Sequence, residues 1–250
     1  MSAFVKVAGT WRSFGPSVKI AGTWRTVGGG WVKVAGVWRR FLGSSPALGT
    51  AILRSAIGGT TSAVTAAFTP GANCVLLAFA ASKSSTAPPR PVISDSLGGT
   101  WTAISTAIDG PAVNPFIYGS LYYRTIGASP ANMTVTASPG QTSTIVAVVE
   151  VPNGGTDFSN FAINANTAGD PSCTIATPAA GSVVVGFMCG HLNVTVAPSA
   201  AFTALYNALP AGATNHRTEV CYDITSPVAT CAWVSALTNS VGILVEVKQQ

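Results

Sequence analysis

The chain has 250 residues, of which 48% are apolar and only 8% charged, with 26 Gly, 16 Pro and a mean hydropathy of +0.43. An ordinary soluble domain carries roughly 25% charged residues. The longest apolar runs, such as 75–81 and 145–149, fall far below the roughly 18–20 residues that cross a bilayer, and ample hydrophobicity with little charge excludes disorder.

Charge is unevenly placed. Residues 1–43 hold seven bases and no acid, while 44–250 hold six bases and all eight acids. Four of the six Trp also lie in the first segment, so composition draws a boundary near 43–46. The opening residues carry Trp, Lys, Arg and Gly rather than an apolar core and cleavage site, which predicts no secretory leader. Five cysteines are then expected to stay reduced in a cytosolic compartment, and their odd number leaves at least one unpaired within the chain.

The basic segment is a repeat. It reads Val5-Lys6-Val7-Ala8-Gly9-Thr10-Trp11-Arg12, then Val18-Lys19-Ile20-Ala21-Gly22-Thr23-Trp24-Arg25, then Val32-Lys33-Val34-Ala35-Gly36-Val37-Trp38-Arg39. Two β-rich triplets around Ala-Gly predict a small hairpin in each unit. If Ala-Gly is the loop, Lys6 lies opposite Trp11 and a cationic stem covers a ring in each unit. A turn one residue later changes the partners, and both registers stay open. Three such hairpins make only about 40 residues, too few to bury their own apolar face. They are expected to stack on one another, on sister subunits or on another protein, which predicts an oligomer, a homotrimer. Interleaved basic and aromatic residues also occur in nucleic-acid binders. The strict patterning and modest charge favour protein contact instead, so no nucleic-acid partner and no membrane insertion is expected.

After Pro46 short β-rich runs alternate with Gly, Pro, Ser and Asn. Strands are predicted at 51–57, 63–69, 74–81, 101–106, 116–125, 133–137 and 144–151. They continue at 173–177, 182–189, 202–207, 218–225, 231–236 and 242–247, with helix scarce. The two halves, about 48–152 and 170–247, echo each other. Pro70-Gly71-Ala72-Asn73-Cys74 with its following strand resembles Pro178-Ala179-Ala180-Gly181-Ser182, Trp101–Ile104 resembles Phe202–Leu205, and 121–124 resembles 220–223. The strand at 146–151 resembles 243–247, and nothing in the second half resembles 88–99. The expectation is an all-β chain: repeated hairpins over 1–43, then one jelly-roll-like antiparallel β-sandwich over 44–250 with an internal pseudo-repeat.

Triplicated units of the form Val-Lys-Val-x-Gly-x-Trp-Lys/Arg resemble the N-terminal repeats of tailed-bacteriophage tail-fibre and related virion proteins. The run from Val92 through Asp95, Gly98 and Gly99 to Thr102, together with the 145–151 strand, resembles sandwich domains found beside such repeats. The resemblance implies a virion component, assembled in the host cytoplasm, with the repeats at its attachment end. It carries over no catalytic residues and no cofactor.

Chemistry-bearing clusters are few. His191 and His216 lack partners at metal-ligand spacing, and no Gly-x-Ser-x-Gly elbow or phosphate loop occurs. Cys189 and His191, separated by Gly190, share a strand face, which reads as a structural thiol beside an edge histidine. Glu150 and Glu246 occupy equivalent places in the echoing strands and are expected to face solvent between buried Val neighbours. Asp95, in Ser-Asp-Ser-Leu-Gly-Gly, is expected to cap local N–H groups.

The reading is a non-enzymatic virion protein of the tail-fibre or receptor-binding kind; its alternative is a capsid decoration, head-fibre or collar protein. Attachment falls to Lys6, Trp11, Arg12, Lys19, Trp24, Arg25, Lys33, Trp38 and Arg39, which would meet other virion proteins. Loops at 82–90, 109–115, 153–171 and 207–217, with Tyr118, Tyr122, Tyr206 and His216 nearby, would contact a host-surface glycan. Cys221 and Cys231 are predicted to be neighbours in a hairpin turning at Ser226-Pro227, within reach of a disulfide. No metal or cofactor is expected.

Overall fold

The computed structural model describes the backbone of residues 3–7, 10–14, 17–20, 23–26, 30–34 and 37–42, and residues 47–249 apart from 111–113, 140–142, 169–170, 192–195, 214–215, 226 and 235–237. The chain divides into two units, Met1–Ala47 and Leu48–Gln250.

In the first unit, β1 (Ala3–Val7) pairs with β2 (Thr10–Phe14), β3 (Ser17–Ile20) with β4 (Thr23–Thr26), and β5 (Gly30–Val34) with β6 (Val37–Leu42). The registers set Lys6 opposite Trp11, Lys19 opposite Trp24 and Lys33 opposite Trp38. The Ala-Gly pairs and the side chains of this unit lie outside the described residues.

The second unit, the body, holds sixteen strands and no helix among the described residues. Its first half contains β7 (Ile52–Gly59), β8 (Ala63–Val64), β9 (Cys74–Ser84), β10 (Val92–Asp95), β11 (Thr102–Asp109), β12 (Phe116–Ile126), β13 (Val135–Ser138) and β14 (Ser143–Pro152). The second contains β15 (Phe161–Ala168), β16 (Ser172–Thr174), β17 (Val183–His191), β18 (Ala197–Pro198), β19 (Thr203–Ala208), β20 (His216–Asp223), β21 (Thr230–Val234) and β22 (Thr238–Val247). These strands pair antiparallel throughout.

The halves have one topology. A five-stranded sheet β11-β12-β9-β14-β7 and a three-stranded sheet β10-β13-β8 in the first half answer β19-β20-β17-β22-β15 and β18-β21-β16 in the second. Each strand is matched by the one eight later, so the echo read over four stretches of sequence extends to all eight strands. Even the segment expected to lack a counterpart has one, since β18 takes the place of β10.

Three apolar clusters order the sheets into four layers. One lies between the sheets of the first half, around Leu76, Ala78, Met133, Val135 and Val146. Another lies between those of the second half, around Cys173, Val184, Cys221, Trp233 and Leu244. The largest, a seam between the two five-stranded sheets, joins Val75, Leu77, Phe79, Ile145 and Val149 to Val183, Val185, Phe187, Ile243 and Val245. Residues 75, 77 and 79 of β9 face the seam while 76, 78 and 80 face the outer layer. Coverage on both faces explains why β9, β14, β17 and β22 read as unbroken apolar runs, a pattern otherwise typical of parallel sheets.

The body is thus two two-layer β-sandwiches sharing a seam, not the single sandwich expected. Phe79 and Phe187, which occupy matching positions, stack with centroids 5.5 Å apart. Across the seam β7 approaches β19 and β11 approaches β15, an exchange of matching partners. The halves face each other as the copies of a symmetric dimer do.

Two buried carboxylates repeat this symmetry and correct the solvent-facing expectation, for Glu150 and Glu246 are each only 2% exposed. Glu150 accepts from the N–H of Gly71 (2.9 Å), and Glu246 from the N–H of Ala179 (2.7 Å). Each N–H is the second residue of the echoing tetrapeptide, whose fourth residue is left-handed, Asn73 at φ 52° and Gly181 at φ 79°. In each case the next side chain closes the turn, Cys74 Sγ donating to Gly71 O and Ser182 Oγ to Ala179 O. The ion partners differ: Arg54 binds Glu150 at 2.7 Å, whereas the Asn160 amide donates to Glu246 at 2.7 Å.

Candidate functional site

Strand direction gives the body two unlike ends. The base holds the capped turns and the start of the body, where Gly49 N–H donates to the Pro152 carbonyl at 3.0 Å. It also holds the Lys248–Asp157 pair at 2.7 Å and the Gly155 N–H bond to the Lys248 carbonyl that ties the halves together. The opposite end, the crown, receives the last residues of β9, β11, β17 and β19 and the first of β12, β14, β20 and β22. The connections that leave β9, β11, β17 and β19 therefore start there. Halves meet here too: the Asn239 amide donates to the Pro115 carbonyl at 3.1 Å, and Gly58 N–H donates to the Ala211 carbonyl at 2.8 Å.

The first half's crown brings together two of the predicted contact loops. Residues 82–84 extend β9 and are buried rather than looped. The segment after β9 is held down by strand hydroxyls, with Ser82 Oγ donating to the Pro89 carbonyl (2.8 Å) and Ser120 Oγ to that of Pro91. Arg90 then reaches the other loop as a two-pronged donor to Asp109, Nε to Oδ1 at 2.9 Å and the second nitrogen to Oδ2 at 2.6 Å. Its guanidinium lies 5.4 Å from the Tyr118 ring centre, and Phe116 meets Tyr118 edge-on at 6.4 Å. The Arg90–Asp109 pair is nearly half exposed on both sides, so water screens most of its energy and its effect is to orient the loops. The product is an aromatic and polar surface shared by the two loops.

Under the crown the seam turns polar. Lys83, Ser143, Cys189, His216 and Thr218 are all buried there. His216 Nδ1 lies 3.3 Å from Ser143 Oγ, while Nε2 has no partner. Burial, then the charges of Lys83 and His191, push the His216 pKa well below its usual value, so the ring is neutral. Cys189, between the halves, has its thiol pushed up by burial. His191 lies opposite His216 in register.

The candidate contact residues therefore separate. Tyr118 and Tyr206 are half-buried on β12 and β19 at the crown. Tyr122 is buried in the outer core of the first half, and His216 is the enclosed first residue of β20, so neither belongs to a contact surface. The predicted loop 153–171 contains β15 and is not a loop over Phe161–Ala168.

Asp95 caps the N–H groups of Leu97 (2.8 Å) and Gly99 (3.2 Å) as its turn requires. It also accepts from Trp101 Nε1 at 2.6 Å and pairs with Arg124. Burial pulls its pKa up, but these donors outweigh burial and hold the carboxyl below its usual range. A shallow pocket lined by Leu97, Arg124, Ile126 and Met133 lies beside this pair.

Sequence reasoning missed Glu219. It is fully buried on β20, neither carboxylate oxygen has a partner, and burial raises its pKa to about 7 against the opposing charge of Arg217. Only its place in the alternation of β20 could have marked it.

The predicted Cys221–Cys231 hairpin is also corrected. β20 and β21 belong to different sheets, and Cys231 pairs in register with Cys173 instead. The Cys221 and Cys231 thiols nevertheless lie 3.8 Å apart, across layers rather than along a ladder, and both are free. Comparison with protein-family models, with curated proteins and with solved structures returns no match.

Proposed function

We propose that the chain is a structural protein of a tailed-bacteriophage particle, of the tail-fibre or receptor-binding kind, attached through residues 1–43 and presenting its body outward. One observation carries the reading: the body begins at the base, where Gly49 bonds to Pro152, so the crown lies at the far end of its strands. A body displayed from its N-terminal end would offer that crown to whatever the particle meets. The repeats add independent support, since each sets a Lys opposite a Trp in a hairpin too small to bury its own apolar residues.

Strand order supports a jelly-roll reading of each half. Numbered within a half, the sheets run 5-6-3-8-1 and 4-7-2. That is the jelly-roll order with its fifth strand moved to the other sheet. In this reading the Arg90, Asp109, Phe116 and Tyr118 surface takes a neutral host glycan, and three chains assemble through their repeats.

The test replaces Trp11, Trp24 and Trp38 by Ala and follows incorporation into particles. Loss of incorporation with an unchanged melting temperature of the body is the expected result. Incorporation at the normal level would overturn the attachment role. A high copy number spread over the particle head would overturn the fibre assignment in favour of a decoration protein.

A further inference from the structure

Three of the five cysteines, Cys173, Cys221 and Cys231, meet in the core between the two sheets of the second half. Cys221 comes from β20 in the five-stranded sheet and Cys231 from β21 in the three-stranded sheet. Their sulfurs are 3.8 Å apart. Gly186 makes the room, because a Cβ there would stand 2.9 Å from both Cys221 Sγ and the Trp233 ring. The first half has Tyr122 at the place of Cys221, and no Cys on its outer sheet. The thiol cluster belongs to one half only, so the shared fold does not require it.

We propose that Cys221 and Cys231 are a latent disulfide, closed by a small peroxide, that rivets the inner sheet of the second half to its outer sheet. This goes beyond the particle reading and does not depend on it. Closure needs the sulfurs to move from 3.8 Å to a bond of roughly 2.0 Å, which side-chain rotation with a small shift of β21 supplies. Cys173 is the competing partner of Cys231, but the two are directly opposed on neighbouring strands. Such pairs have Cα separations of about 4.5–5.5 Å, short of the spacing a disulfide favours.

The chemistry balances with the peroxide as oxidant. One thiolate attacks an oxygen of the peroxide, the O–O bond breaks, and a sulfenic acid and one water form. The second thiol attacks the sulfenic sulfur and expels the other water, so two thiols and one hydrogen peroxide become one disulfide and two waters. Burial, then the hydrogen bond and charge of Cys231, raise the Cys221 thiol well above its usual pKa. Thiolate is therefore scarce in the closed body, and the reaction follows transient opening of the outer sheet.

The experiment exposes the full chain to hydrogen peroxide both as folded protein and during refolding from urea. Free thiols are then alkylated under denaturing conditions without reduction, and peptides are mapped by mass spectrometry. A Cys221–Cys231 linked peptide, two hydrogens lighter, with Cys74, Cys173 and Cys189 alkylated, is expected. The linked chain should melt about 5–10 °C higher, a gain that dithiothreitol reverses and the Cys221→Ala variant lacks. A Cys173–Cys231 link, or alkylation of all five cysteines under both treatments, overturns the proposal.

Discussion

Glu219 and His216 sit three residues apart on β20, both fully buried, and they pull stability in opposite directions with pH. For Glu219 the folded pKa is raised from 4.5 to about 7, so the native chain holds a proton that the unfolded chain has released. Its stabilising contribution is complete below pH 4.5 and is lost as pH rises through 7. A shift of this size amounts to about 3 kcal/mol, a large share of a domain's net stability. His216 has the opposite sign: its folded pKa is depressed, so its contribution is present above 6.5 and lost as pH falls. Between pH 4.5 and 6.5 rising pH costs about 1.4 kcal/mol per unit through Glu219, and His216 opposes that slope as pH falls below 6.5. Urea unfolding at pH 4.5, 5.5, 6.5 and 8 is therefore expected to show a shallower pH dependence for the unmodified body than for either single variant below. Glu219→Gln removes one slope: stability should be unchanged at pH 4.5, rise by about 3 kcal/mol at pH 8, and fall on acidification. His216→Gln should expose the converse, a steady loss from pH 4.5 to 7. A Glu219→Gln chain that gains nothing at pH 8 would refute the assignment of the buried proton.

Glu150→Ala should cost about 3–5 kcal/mol because it strands Arg54 and the Gly71 N–H, whereas Glu246→Ala, whose partners are neutral, should cost about 1.5–3 kcal/mol; urea titration at pH 7 measures both. Phe79→Ala and Phe187→Ala should each destabilise by about 3–5 kcal/mol, and a double-mutant cycle should return a coupling of about 1 kcal/mol from the stacked rings. Deleting residues 1–46 should leave the calorimetric melting temperature of the body nearly unchanged, since residues 48–250 form their own unit.

Most strands are legible in the sequence because their apolar runs and turn residues are local signals. The departures share one cause, a fold with more layers than a single sandwich has. An alternation rule that holds when one sheet face is wet sends Glu150 to solvent. In a four-layer body both faces are dry, and the carboxylate is retained by Arg54 and a turn N–H. His216 reads as loop because β20 begins earlier than its apolar stretch, in a polar run that only the seam buries. β15, Phe161–Ala168, is rich in Ala and Asn, which carry little strand preference, and ladder bonding to β22 overrides it. The Cys221–Cys231 hairpin fails because Ser226-Pro227 falls between strands of different sheets, a distinction that turn chemistry alone does not encode.

The matching halves bear on how such a chain could evolve. A symmetric dimer must change both copies at once, because one gene encodes both. Joined in a single chain, two matching halves are free to differ, and here they do: Arg54 against Asn160 at the capped turns, Tyr122 against Cys221 in the outer cores. One set of crown loops can be remodelled for a new contact while the other keeps the seam closed. Every added chain also contributes two related but unequal loop sets, so an assembly of three would present six positions of alternating kind.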